Sequence, residues 1–186
     1  MAANVAHAGP RRGNPWRMAV WGTAAALLLL PLVAMQFTTE VNWTLSDFLV
    51  MGALLLAACG IYEFGAWLSG NTAYRAAFGL AVVSGFLLIW VNLAVGIIGS
   101  ENDEANLMFA GVLMVGAIGA AIAMFKPWGM ARALVAMAVA QAVVGVIAMF
   151  LGSVEGALLS GFFTALWLTS AGLFRKAALE QSPVGQ

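Results

Sequence analysis

"NLAVGIIGSENDEANLMF", residues 92–109, leaves an apolar run, crowds three acids into four positions and returns to an apolar run. The chain around it is only 9% charged and 63% hydrophobic, with a mean hydropathy of +0.96. A soluble domain has about half its residues apolar and about a quarter charged. An acidic turn set between two long apolar segments is therefore read as the tip of a membrane hairpin, with "SENDEAN" outside the hydrocarbon.

Working outward, six apolar runs reach the roughly 20 residues needed to cross about 30 Å of hydrocarbon at about 1.5 Å per residue. They are Met18–Phe37, Phe48–Leu68, Ala73–Ile98, Asn106–Phe125, Met130–Leu151 and Val154–Phe174. The fold class is all-α, a polytopic transmembrane bundle of six helices. Residues 1–16 and 176–186 are read as tails and 17–175 as the membrane domain. The short connections predict that sequential helices pack as antiparallel neighbours. Pro31 predicts a kink in the first span. The first 17 residues resemble the charged region of a signal peptide, but the apolar stretch that follows is about 20 residues long against about 7–15 for such a leader. "PLVAMQF" also lacks a small-x-small cleavage site, so the stretch is read as a retained first helix.

Charge sets the orientation. Arg11, Arg12, Arg17, Arg75, Lys126, Arg132, Arg175 and Lys176 all fall on one side of the six spans. Glu40, Asp47, Glu101, Asp103, Glu104 and Glu155 fall on the other. Basic residues in short loops hold their side in the cytoplasm, which predicts cytoplasmic termini. The helix dipole explains the acids Asp47, Glu104 and Glu155 at helix starts, but it opposes Arg17, Arg75 and Arg132, so topology explains the basic residues. Trp16, Trp21, Trp67 and Trp128 lie near the basic face and Trp43 and Trp90 near the acidic one, as interfacial belts require. Trp167 lies about 12 Å inside the last span at about 1.5 Å per residue, and is expected between helices or against lipid.

The outer acidic loop has two readings. Glu101, Asp103 and Glu104 supply hard oxygen ligands for a cation such as calcium, yet the stretch lacks the alternating ligands and turn glycine of an EF-hand loop. A solvated turn with helix-capping acids is the plainer reading. One cysteine, Cys59, excludes an internal disulfide and a cysteine-based zinc site. The only histidine, His7, is in the N-terminal tail, and both lysines fall at segment ends, so haem ligation and a retinal-type Schiff base are not expected. No basic patch exists for nucleic acid. No cofactor, metal or catalytic set is expected, and the chain is read as not an enzyme.

Away from the span ends, Glu63 is the only acid within a span, and an intramembrane ionisable group is a functional candidate by default. It lies 16 residues after Asp47, about 24 Å along a helix that rises about 1.5 Å per residue, which brings it level with Arg75. An ion pair between Glu63 and Arg75 is expected to clamp the second hairpin, with a proton or substrate role as the alternative. Asn92 and Gln141 each continue a stripe of small residues and are read as interhelical hydrogen-bonding groups, or else as lining a pathway. Their depths differ by about 12 Å, so each is expected to find a separate partner. Gly116 with Ala120 and Gly119 with Ala123 place the fourth span at the centre of the bundle. Gly52 and Gly60 recur 59 residues later as Gly111 and Gly119, which reads as a duplicated hairpin in the same orientation.

The pieces "YRAA", "LIWVNLAVGIIGSE", "AN" and "GMARAL", together with "WTLSDF" and the "YE" of the second span, resemble a group of small uncharacterised bacterial integral membrane proteins. The resemblance covers spans two to five and implies an inner-membrane setting without an assigned activity. Two functional classes follow. One is a structural or accessory protein that packs against itself or a larger membrane complex; the other is a small transporter or channel with Glu63, Arg75, Asn92 and Gln141 bordering the route. A lipid-acting enzyme is a distant third.

Overall fold

The computed structural model describes residues 15–182. His7, Arg11, Arg12, the side chain of Trp16 and residues 183–186 lie outside the described residues. Among the described residues every regular element is helical: α1 (Pro15–Ala34), α2 (Leu45–Leu68), α3 (Thr72–Ala94), α4 (Leu107–Ala123), α5 (Pro127–Phe150) and α6 (Val154–Gln181), with a single 3-10 turn at Glu104–Asn106. All six are long and apolar enough to cross a membrane. The protein is a multi-pass membrane protein.

Two compact units divide the chain, residues 1–59 and 60–186. The first contains α1, which runs through Pro31, and most of α2; Leu28 of α1 lies in van der Waals reach of Gly52 on α2. The second contains the last turns of α2 and all of α3 to α6. There α5 packs most extensively on α6, α4 packs on α5, and α3 packs on α6, while α3 and α4 barely touch. Sequential neighbours therefore pair at α4–α5 and α5–α6 but not at α3–α4. The reason is the connection, because the twelve residues between Ala94 and Leu107 form a loop with its own buried side chains, Ile97 and Ile98.

The expectation that the fourth span is central is corrected. Only Phe109 and Val112 of α4 are buried, against ten residues of α5 and nine of α6. Its small residues serve one seam rather than a centre. A Cβ added at Gly119 would lie 2.7 Å from the Cβ of Ala133, and one added at Gly129 2.6 Å from the Cβ of Ala123. Gly60, the sequence counterpart of Gly119, has nothing within 4 Å, so the two glycines serve different surroundings.

Two boundaries differ most from the hydropathy pattern. The third helix stops at Ala94 rather than Ile98, because Gly96 and Gly99 adopt the left-handed region at φ +71° and +67°, where side chains are strained. The sixth runs on to Gln181, since Phe174, Ala177 and Ala178 continue its buried face past the apolar run.

The α4–α5 seam has a direct test. Gly119→Ala is expected to lower the thermal stability of the detergent-solubilised protein by about 1–3 kcal/mol, because the facing Cβ belongs to a helix that cannot yield. Gly111→Ala, with nothing within 4 Å, is expected to be neutral or stabilising by about 0.5–1 kcal/mol through helix propensity.

Candidate functional site

The acidic end of the second unit is organised by an asparagine that composition does not single out. Asn106, 6% exposed, accepts at Oδ1 from the backbone N–H groups of Ile97 (3.0 Å) and Ile98 (2.9 Å). Its Nδ2 donates to the carbonyls of Ile98 (3.0 Å) and Ser100 (2.6 Å). Its own carbonyl accepts from Asn92 Nδ2 at 3.1 Å. The two amides thus stitch the end of α3 to the start of α4 across a stretch whose backbone has no helix to satisfy it.

The acids ride on this frame. Asp103 Oδ1 accepts from Ala105 N at 2.9 Å and caps the 3-10 turn, while Glu101 Oε1 accepts from Asn102 Nδ2 at 3.3 Å. Glu101, Asp103 and Glu104 are all exposed. Among the described residues no three His, Cys, Asp or Glu side chains converge to hold a metal ion, which leaves the cation reading of this loop without a ligand set.

The basic end is tied together from the start of α3. Arg75 Nη2 donates to the Ala66 carbonyl and Nε to the Ser69 carbonyl, both at 2.8 Å, capping the C-terminus of α2. Arg75 thus clamps the second hairpin through carbonyls that the end of α2 leaves unpaired. Glu63 itself is half-buried on α2. Beside it, Phe64 packs edge-on against Phe125 at 5.2 Å between centroids, and Tyr62 lies against Gly79 of α3. Tyr74 donates its hydroxyl to the Phe125 carbonyl at 2.9 Å, where α4 ends in two left-handed residues, Met124 and Phe125. Asn71 Nδ2 donates to Glu180 Oε2 at 2.8 Å and brings in the end of α6.

Gln141 sits midway along α5 and is 0% exposed, yet among the described residues neither its Oε1 nor its Nε2 has a hydrogen-bond partner. Ser160 Oγ and Trp167 Nε1 on α6 are likewise buried and unpartnered. These groups belong to one region, because Gly145, one turn along from Gln141, would place a Cβ 2.9 Å from that of Ser160. Trp167 is buried between helices, its ring reaching toward Gly85 of α3. Beside them Ser84 and Ser170 return their hydroxyls to carbonyls, Ser170 crossing from α6 to Ala77 of α3 at 2.7 Å.

Of the positions singled out in the sequence, Asn92 joins the acidic loop, Arg75 the clamp at the basic end and Gln141 the centre, so they form no single site. Asn106, Ser160 and Tyr74 carry comparable weight. Asn106 lies within the "AN" piece of the resemblance, the one signal in the sequence that pointed to it. Comparison with known protein families, curated proteins and solved structures finds no match.

Asn106→Ala removes four side-chain hydrogen bonds at once and leaves the Ile97 and Ile98 N–H groups buried. It is expected to cost about 2–4 kcal/mol and to speed amide hydrogen exchange at Ile97 and Ile98 selectively, with α5 and α6 amides unchanged. Uniform exchange across the chain would instead mean global destabilisation.

Proposed function

We propose that this is an accessory or self-associating membrane protein that works by helix–helix contact, with no catalytic role. The observation that carries the reading is the outward face of α6. Gly161, Ala165, Thr169 and Gly172 are exposed along one side of the helix, and nothing lies within 4 Å of a Cβ added at Gly161 or Gly172. Small residues at this spacing let a second helix approach closely, and without aqueous solvent such packing supplies much of the association energy. The setting is the inner membrane of a bacterium, as the resemblance implies, and both termini are in the cytoplasm on the strength of the basic residues' one-sided distribution.

A second reading, a small transporter or channel, is favoured by one observation: the unpartnered polar atoms of Gln141, Ser160 and Trp167 in the middle of the bundle. Unsatisfied polar groups away from water are costly, and they persist where they serve a passing species.

Two variants separate the readings. Gly161→Phe is expected to convert the oligomer, or the complex recovered by gentle extraction, to the free monomer without lowering thermal stability. A wild-type protein that is monomeric and recovered alone would remove the association reading. Gln141→Leu is expected to raise thermal stability by about 1–3 kcal/mol, by removing an unpaired amide. A loss of ion or solute flux in proteoliposomes on that same substitution would favour transport.

A further inference from the structure

Two of the buried polar groups at the centre of the bundle have no local route to satisfaction. A helical hydroxyl can turn back to the carbonyl four residues earlier, as Ser84, Thr164 and Thr169 do, and the same recourse is open to Ser160. An indole N–H has no such recourse, and a glutamine amide that turned back would still leave its oxygen without a donor. Gln141 on α5 is 0% exposed and Trp167 on α6 is 1% exposed. Among the described residues neither end of the Gln141 amide nor Trp167 Nε1 has a hydrogen-bond partner.

Both groups lie at nearly one level of the α5–α6 contact. The two helices are joined by residues 151–153 and run antiparallel, with Gly145 set against Ser160. Seven residues on from Ser160, Trp167 is level with position 138, three residues or about 4.5 Å along the axis from Gln141. Ala138 at that level is buried and carries only a methyl group. On the α3 side, a Cβ added at Gly85 would meet Leu113 Cδ2 at 3.8 Å and Trp167 Cη2 at 3.9 Å, with nothing closer. The indole is therefore flanked by space for a group of methyl size, which is the scale of one water.

The atoms themselves select the occupant. Trp167 Nε1–H can only donate and Gln141 Oε1 can only accept, so a partner to both must accept and donate, which neither a bare cation nor a bare anion does. Charge is disfavoured again by the surroundings: no Asp, Glu, Lys or Arg occurs between Arg75 and Glu101, between Arg132 and Glu155, or between Glu155 and Arg175. We infer that a water molecule is bound here, accepting from Trp167 Nε1–H and donating to Gln141 Oε1. Immobilising one water costs less than leaving two buried polar groups unpaired. The oxygen and nitrogen of an amide point apart, so Gln141 Nε2 stays unpaired and Gln141→Leu still removes an unsatisfied donor. A bound water needs no route through the bundle, so this inference is independent of the association and the transport readings.

The test is X-ray radiolytic footprinting of the full chain in lipid nanodiscs, in which a bound water split in place oxidises the side chain beside it. Trp167 is expected to be oxidised despite its burial, while Phe109 and Phe174, which are as deeply buried, are not. A Trp167 as inert as those two rings would overturn the proposal. Gln141→Leu is expected to abolish oxidation at Trp167 and to leave that of the exposed Trp67 unchanged. Continued oxidation of Trp167 in that variant would rule out the bridge to Gln141. Should Gln141→Leu fail to fold, the wild-type comparison still decides. Footprinting reads neither solute flux nor oligomeric state, so failure of either functional reading is seen separately.

Discussion

Every backbone N–H and carbonyl within the bilayer needs a partner supplied by the protein, and this constraint governs most of the polar side chains here. Inside the helices the backbone satisfies itself. Where the chain leaves a helix it cannot, and there a side chain takes over. Asn106 serves Ile97, Ile98 and Ser100, Asn92 serves Asn106, Arg75 serves Ala66 and Ser69, and Tyr74 serves Phe125. The conspicuous intramembrane and interfacial polar residues are mostly backbone partners, which is why they do not converge on one site.

The architecture follows from where those partners sit. A connection with its own core between α3 and α4 allows the two helices to separate, and α3 turns to α6, sealed by Ser170 on the Ala77 carbonyl and by the rings of Tyr74 and Phe174 at 5.0 Å. The α4–α5 and α5–α6 connections are short, and those pairs close tightly through Gly119 and Gly145. The open seam and the acidic loop above it are thus two outcomes of one irregular segment.

Gln141, Ser160 and Trp167 stand outside this pattern. Among the described residues their buried polar atoms serve no backbone group, so local folding does not account for them. A hydrophobic residue of similar size at position 141 would pack without that cost. Polar chemistry at the centre of the bundle is therefore the part of the molecule that folding alone leaves unexplained.

Hydropathy was enough to determine six spanning helices and the segregation of basic from acidic loops, because both depend on composition summed over about 20 residues, which neighbours in space do not change. Pairing needed the tertiary structure. Depth and charge brought Arg75 to the end of the second hairpin, yet that its guanidinium caps the Ala66 and Ser69 carbonyls depended on the fold, and small-residue spacing in α4 described a seam with α5 rather than a central position. The importance of Asn106 was illegible for the same reason: an asparagine beside three acids reads as solvated loop until the backbone of Ile97 and Ile98 folds over it. The sequence by itself determined which segments cross and how they alternate; which helices meet, and which polar atom answers which, was decided by the fold, because hydrogen bonds depend on ångström-scale geometry that residue type and spacing do not encode.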